Sequence, residues 1–264
     1  MNSIKFCFAT LVFLIWANTG LTNESTNEST DESADAMQAR IKHQMAAPDR
    51  HRFDLPRDEA RMPFETFQFL GLEAGMTVMD VGAYAGYTTE MLAAAVGPEG
   101  KVFSQNTEQV YLRYADGYYK RTMDERLAAN RLPNVELYIV EYDDLGLENE
   151  LDMAFLGNLI HDFLNRDGEE LALRFLRNIY TALKPGGVLG VIDHVGDENR
   201  NNGPLHRITP EDARQLLEKA GFVIEAESDL FANPDDDHSL MVYNEAIYRN
   251  TDRFFYKAVK PGSH

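Results

Sequence analysis

The chain alternates short apolar runs with longer amphipathic stretches, a rhythm that predicts strands followed by helices. Val78, Met79 and Val81 form an apolar run that stops at Gly82, and the alanine-rich stretch Thr88 to Val96 behind it has good helix propensity. Gly97-Pro-Glu-Gly100 is a turn, Lys101 to Gln105 a second strand and Val135 to Val140 a third. Leu151 to Leu156 and Val188 to Ile192 are continuously apolar, as strands buried on both faces are. Between them Gly168 to Leu183 reads as a helix, stopped by the basic, glycine-rich Lys184-Pro-Gly-Gly187. Thr209 with Glu211 and Asp212 opens a helix reaching Ala220, and Phe222 to Ala226 and Phe254 to Val259 are the last strands. Ala36 to Ala47 predicts a short helix, and Asp54 to Leu70 a helix that Pro63 kinks or restarts. Thr107 to Asn130 is expected to be largely helical and carries many aromatic residues. Strands alternating with helices imply an α/β fold, a mostly parallel seven-stranded sheet with helices on both faces.

The first 20 residues stand apart. Lys5 precedes an apolar run from Phe6 to Trp16, and Ala17, Asn18, Thr19 and Gly20 follow. That is the layout of a secretory signal peptide, and about eleven apolar residues are too few to span a bilayer. Export to the periplasm follows, with no stable membrane insertion after cleavage. A segment that is not a functional signal would leave the protein in the cytoplasm. The only cysteine, Cys7, and the only tryptophan, Trp16, lie inside this segment, so disulfides play no part in the mature fold. Residues 21–49 are expected to be an acidic low-complexity linker, with its tandem Asn-Glu-Ser-Thr, and a short helix. Residues 50–264 form one domain. A formal charge of −18 argues against nucleic acid and against anionic lipid as partners.

A strand that breaks at glycine and feeds a helix aims backbone N–H groups and the positive helix end at one spot, suited to a nucleotide-like ligand. Thr77 to Thr89 has this form. It lacks the lysine of a P-loop. For a dinucleotide turn it has only Gly82 and Gly86, and the second strand ends at Gln105-Asn106 without an acid.

Asp80-x-Gly82-x-x-x-Gly86 resembles the first motif of class I methyltransferases, and Leu183-Lys-Pro-Gly-Gly187 resembles another recurrent feature of that superfamily. Gly221-Phe222, opening the late pair of strands, is similar to its usual close. Gly75-Met-Thr-Val, Leu205-His-Arg-Ile208, Glu227-Ser-Asp-Leu230 and Asn233-Pro-Asp-Asp-Asp-His238 resemble a bacterial group of methyltransferases whose members often carry export signals. The resemblance covers about residues 55 to 260 and implies a Rossmann-like class I methyltransferase fold with S-adenosyl-L-methionine (SAM) as cofactor. It implies cofactor contacts from Asp80, Gly82, Ala83, Tyr84 and Gly86, from Asn106, from Glu141, Tyr142 and Asp143 after the third strand, and from Asn158. Two positions depart from the superfamily pattern. Tyr84 replaces the middle glycine of the motif, so its ring swings out, stacks on the ligand or fills its place. Asn106 replaces the acid that grips the ribose hydroxyls, and a neutral bond there is weaker by roughly 1 kcal/mol.

Catalytic candidates gather after the fourth and fifth strands. His161 has the intrinsic pKa of a base and is followed by Asp162; otherwise it is a histidine at a helix start. Asp193, His194 and His206, the last beside Arg207, should reach the same rim. Methyl transfer is a direct displacement, so such groups align the acceptor and remove its proton. No His-x-x-x-His or similar spacing supports a metal, and Asp235 to His238 reads as a solvated turn. Two functions remain: a SAM-dependent methyltransferase for an unidentified small-molecule acceptor, or an exported non-catalytic domain of the same fold binding another ligand. SAM is made in the cytosol, which sets the first against the export signal.

Overall fold

The structure, a computed structural model, describes residues 24–262 of the 264. The expected signal peptide therefore lies outside the described residues. Along the chain run α1 (Glu24–Met45), α2 (Leu55–Arg61), α3 (Pro63–Leu70), β1 (Thr77–Val81), α4 (Tyr87–Val96), β2 (Lys101–Asn106), α5 (Glu108–Leu112), α6 (Tyr118–Leu127) and β3 (Val135–Ile139). After them come β4 (Leu151–Gly157), the single turn α7 (Ile160–Asp162), α8 (Glu169–Ala182), β5 (Leu183–His194), α9 (Pro210–Ala220), β6 (Val223–Glu227) and β7 (Arg253–Val259).

Strand identity follows from burial on two faces. Met79, Val81, Ala154, Leu156, Leu189 and Val191 enter one core with α8 and α9, whereas Val78, Met153, Phe155 and Ile192 enter the other with α1, α3 and α4. The period of two carries each strand's side chains alternately into both layers. The sheet order is β3-β2-β1-β4-β5-β7-β6. Its first five strands are parallel, and β7 runs antiparallel to β5 and β6. The order reverses between β1 and β4, which opens a crevice at their carboxyl ends. A Cβ on Gly190 would lie 2.4 Å from Leu70 Cδ1, so glycine there lets α3 lie close on the sheet.

Several expectations are corrected. The expected linker is helical from Glu24 onward, and α1 joins the domain: Met37 and Ile41, one turn apart, are buried in the core beside α4. Arg40 also donates to the Ala94 and Ala95 carbonyls at 3.0 and 2.6 Å, capping the end of α4 with positive charge. Of the two alternatives at Pro63, the restart is the one present: Asp54 to Leu70 holds two helices parted at Met62 with φ 38°, the second opening at Pro63. The region after β2 is largely helical as expected, broken at the left-handed residues Ala115 and Asp116. Leu183–Gly187 is not only a helix stop: β5 begins at Leu183 and pairs with Leu151 across a register shift. Among the described residues, no helix is long and apolar enough to cross a membrane.

Candidate functional site

The turn after β1 is held from behind by the end of β2. Gln105 Oε1 accepts the Gly82 N–H at 2.9 Å, the Gln105 carbonyl accepts the Ala83 N–H at 2.8 Å, and Asn106 Oδ1 accepts the Tyr84 N–H at 2.8 Å. Asn106 is fully buried, so it supports the turn instead of reaching outward as a ribose acid would. Its direction is fixed by the Tyr84 N–H that it accepts, a backbone group too costly to leave buried without a partner. Gln105 went unmarked in the sequence, where only its neighbour drew notice.

Asp80 also braces the turn. Its Oδ2 accepts the Thr89 hydroxyl at 2.6 Å, tying β1 to the first turn of α4, and Thr89 reaches Ser104 at 3.1 Å. Burial pushes the Asp80 carboxyl up to about 6 against the lowering effect of Thr89 and Arg61. Arg126, on α6, donates to the Ala85 carbonyl at 2.6 Å and pairs with the buried carboxylates of Asp54 and Glu90. No sequence pattern announced this clasp.

Tyr84 takes φ 50°, a conformation that suits glycine, and its ring packs on Tyr119 with centroids 5.3 Å apart. Burial raises its hydroxyl pKa well above the ordinary value, with Tyr142 and Asp162 adding to the effect. Leu159 and the Tyr142 hydroxyl crowd the face of Gly82. Beside the start of α4 and the end of β4 lies a cavity of about 20 Å³ lined by Arg61, Thr88, Gly157, Asn158 and Arg253 among others. Beyond the ends of β2 and β3, a hollow of about 470 Å³ is lined by Glu108, Gln109, Arg113, Tyr114 and Glu141. The expected contacts thus divide: Asn158 lines one hollow, Glu141 the other, and Tyr142 the core between. Asp143 is exposed, pairs with Arg174 at 3.4 Å, and lines neither hollow.

The polar rim after β4 and β5 does assemble. Asp193, fully buried, accepts from the His161 backbone N–H at 3.0 Å and lies 2.7 Å from His161 Nδ1. The Asp162 Oδ1 lies 3.3 Å from both His161 Nε2 and His206 Nδ1. Burial alone would lower the His161 pKa, but Asp193 and Asp162 outweigh it and raise it to about 10. His194 faces the other way, with Nδ1 2.7 Å from the Thr251 hydroxyl, and burial lowers it to about 3, so it is neutral. Arg207 turns inward, its Nη2 donating to both carboxylate oxygens of Asp236 at 2.9 and 3.0 Å. The segment Asp235 to His238 is only in part the expected solvated turn: Asp235 and Asp237 are exposed, but Asp236 is buried and His238 Nε2 meets Asp252 at 2.9 Å.

Comparison with known proteins bears on the fold. A family model described as protein-L-isoaspartate(D-aspartate) O-methyltransferase matches residues 58–128, from α2 through α6. No curated protein sequence matches the chain. Among solved structures, a SAM-dependent methyltransferase from Aquifex aeolicus is 22% identical with a TM-score of 0.55, over 84% of this chain and 97% of its own. The pyocyanin biosynthetic protein PhzM is 18% identical with a TM-score of 0.54, over 90% of this chain and 68% of its own. The cyclase SpnF is 19% identical with a TM-score of 0.56, over 77% of this chain and 81% of its own. At these identities the likeness concerns the fold. The fold is the Rossmann-like class I methyltransferase fold, with its one antiparallel strand at β7.

Proposed function

We propose that the protein is a SAM-dependent methyltransferase acting on a small-molecule acceptor. One observation carries the reading: a hollow beside the start of α4 and another at the ends of β2 and β3 are lined by groups that match the two ends of that cofactor. In the smaller hollow Asn158 Oδ1 is buried without a hydrogen-bond partner, which suits an ammonium group. Arg61 and Arg253 line the same hollow and form no ion pair among the described residues, which suits a carboxylate. In the larger hollow Glu108 and Glu141 offer carboxylates to hydroxyls. The cofactor supplies an electrophilic methyl group when bound. Asp193 orients His161, and His161, Asp162 and His206 form the rim against which an acceptor would be aligned and lose its proton. The N-terminal Lys5 and the apolar run to Trp16 support export of the protein.

Titration calorimetry of S-adenosylhomocysteine into the full chain tests this. Micromolar binding, weakened about tenfold in Asn158→Ala by loss of one hydrogen bond to a charged group, is expected. No heat from folded protein at high ligand concentration would sink it. The second reading, a non-catalytic domain for another ligand, is favoured by one feature, the buried Tyr84 ring in the turn.

A further inference from the structure

We propose that His161, Asp162 and His206 hold a divalent first-row transition-metal ion at the acceptor rim. The three donor atoms lie within 4.8 Å of one another. His161 Nε2 and His206 Nδ1 are both buried and both without a hydrogen-bond partner, and they converge on a single carboxylate oxygen at 3.3 Å each. Donors sharing an ion at about 2.1 Å stand about 3.0 to 3.4 Å apart, so this is the spacing of neighbouring ligands. Without a proton on them, these two imidazole nitrogens would turn lone pairs towards the carboxylate and repel it, and an ion held by all three donors removes that repulsion at both nitrogens at once. Something positive belongs between them.

The surroundings are those of a metal-bound histidine. Asp193 holds the far nitrogen of His161 at 2.7 Å and its backbone N–H at 3.0 Å, which fixes the ring and raises its basicity as a ligand. Asp193 is itself fully buried. By contrast, the Asp162 and His206 side chains are 30% and 35% exposed, so the outer side is open to an exchangeable ligand. Two nitrogens and one oxygen favour zinc, iron, cobalt or manganese over calcium or magnesium. The donors come from α7 and from the loop before α9, far apart in sequence, which is why no local spacing marks them. An acceptor hydroxyl ligated at the open side would release its proton to water more readily. That role rests on the methyl-transfer reading; the ion site itself does not.

The full chain, purified without a histidine tag and stripped with a chelator, is titrated with Zn²⁺ by calorimetry and with Co²⁺ by visible absorption. One ion per chain, cobalt ligand-field bands, and at least tenfold weaker binding in both His206→Ala and Asp162→Asn are expected, with circular dichroism unchanged. No binding by folded wild-type protein overturns the proposal and assigns a proton to the cluster; so does binding that neither variant alters. A parallel titration of the metal-free protein with S-adenosylhomocysteine separates the two ideas. S-adenosylhomocysteine binding without metal binding overturns the ion site alone, and metal binding without it supports the ion site while overturning methyl transfer.

Discussion

Replacing Tyr84 by glycine isolates the obstacle in the cofactor turn. In the ligand-free protein the ring packs on Tyr119 at 5.3 Å and is largely buried. A ligand lying across the turn must displace it. Breaking the ring pair costs about 0.5 to 1.5 kcal/mol, and re-exposing the ring adds roughly 1.5 kcal/mol or more. That cost of about 2 to 3 kcal/mol is subtracted from ligand binding, so Tyr84→Gly should bind S-adenosylhomocysteine at least about tenfold more tightly. Glycine also relieves a positive φ that costs other residues about 1 kcal/mol. The Tyr84→Ala control opens the same space but keeps that strain, so it should match the glycine variant in affinity and fall below it in thermal stability. Calorimetry and thermal unfolding read both quantities. Unchanged or weaker affinity in the folded glycine variant would refute the reasoning and make the ring a platform for the ligand.

Two further outcomes are expected. The fold favours the protonated form of Asp80, so its contribution to stability is complete below pH 3.8 and is lost as pH rises through about 6. The loss is on the order of 3 kcal/mol, and the stability gap between Asp80→Asn and wild type in urea should widen over that interval and vanish in acid. Arg126→Met leaves Asp54 buried and without its bidentate partner, which should cost about 3 to 5 kcal/mol and lower the melting temperature by roughly 10 °C in calorimetric scans.

Much of the fold could be read from the chain because β1, β4 and β5 are apolar on both faces and the glycines fall where strands stop. The first helix could not. Met37 and Ile41 are two apolar residues in an acidic, polar stretch, and their meaning depends on α4 waiting to receive them. The rim histidines were legible as a gathering, since strands of one parallel sheet end on one side. Their directions were not: His161 and His206 meet over Asp162, while His194 and Arg207 turn to Thr251 and Asp236. Asn106 shows the same limit. The residue type was noticed, but its orientation is decided by a backbone N–H donated from another segment.

The bracing of the turn by Gln105 and Asn106 has a kinetic consequence. A phosphate-type loop that orders itself around its ligand must search for its shape after encounter. Here the backbone is already set, so association should be gated by one aromatic rotamer, with a rate that hardly depends on ligand concentration once the ring's opening becomes the slow step.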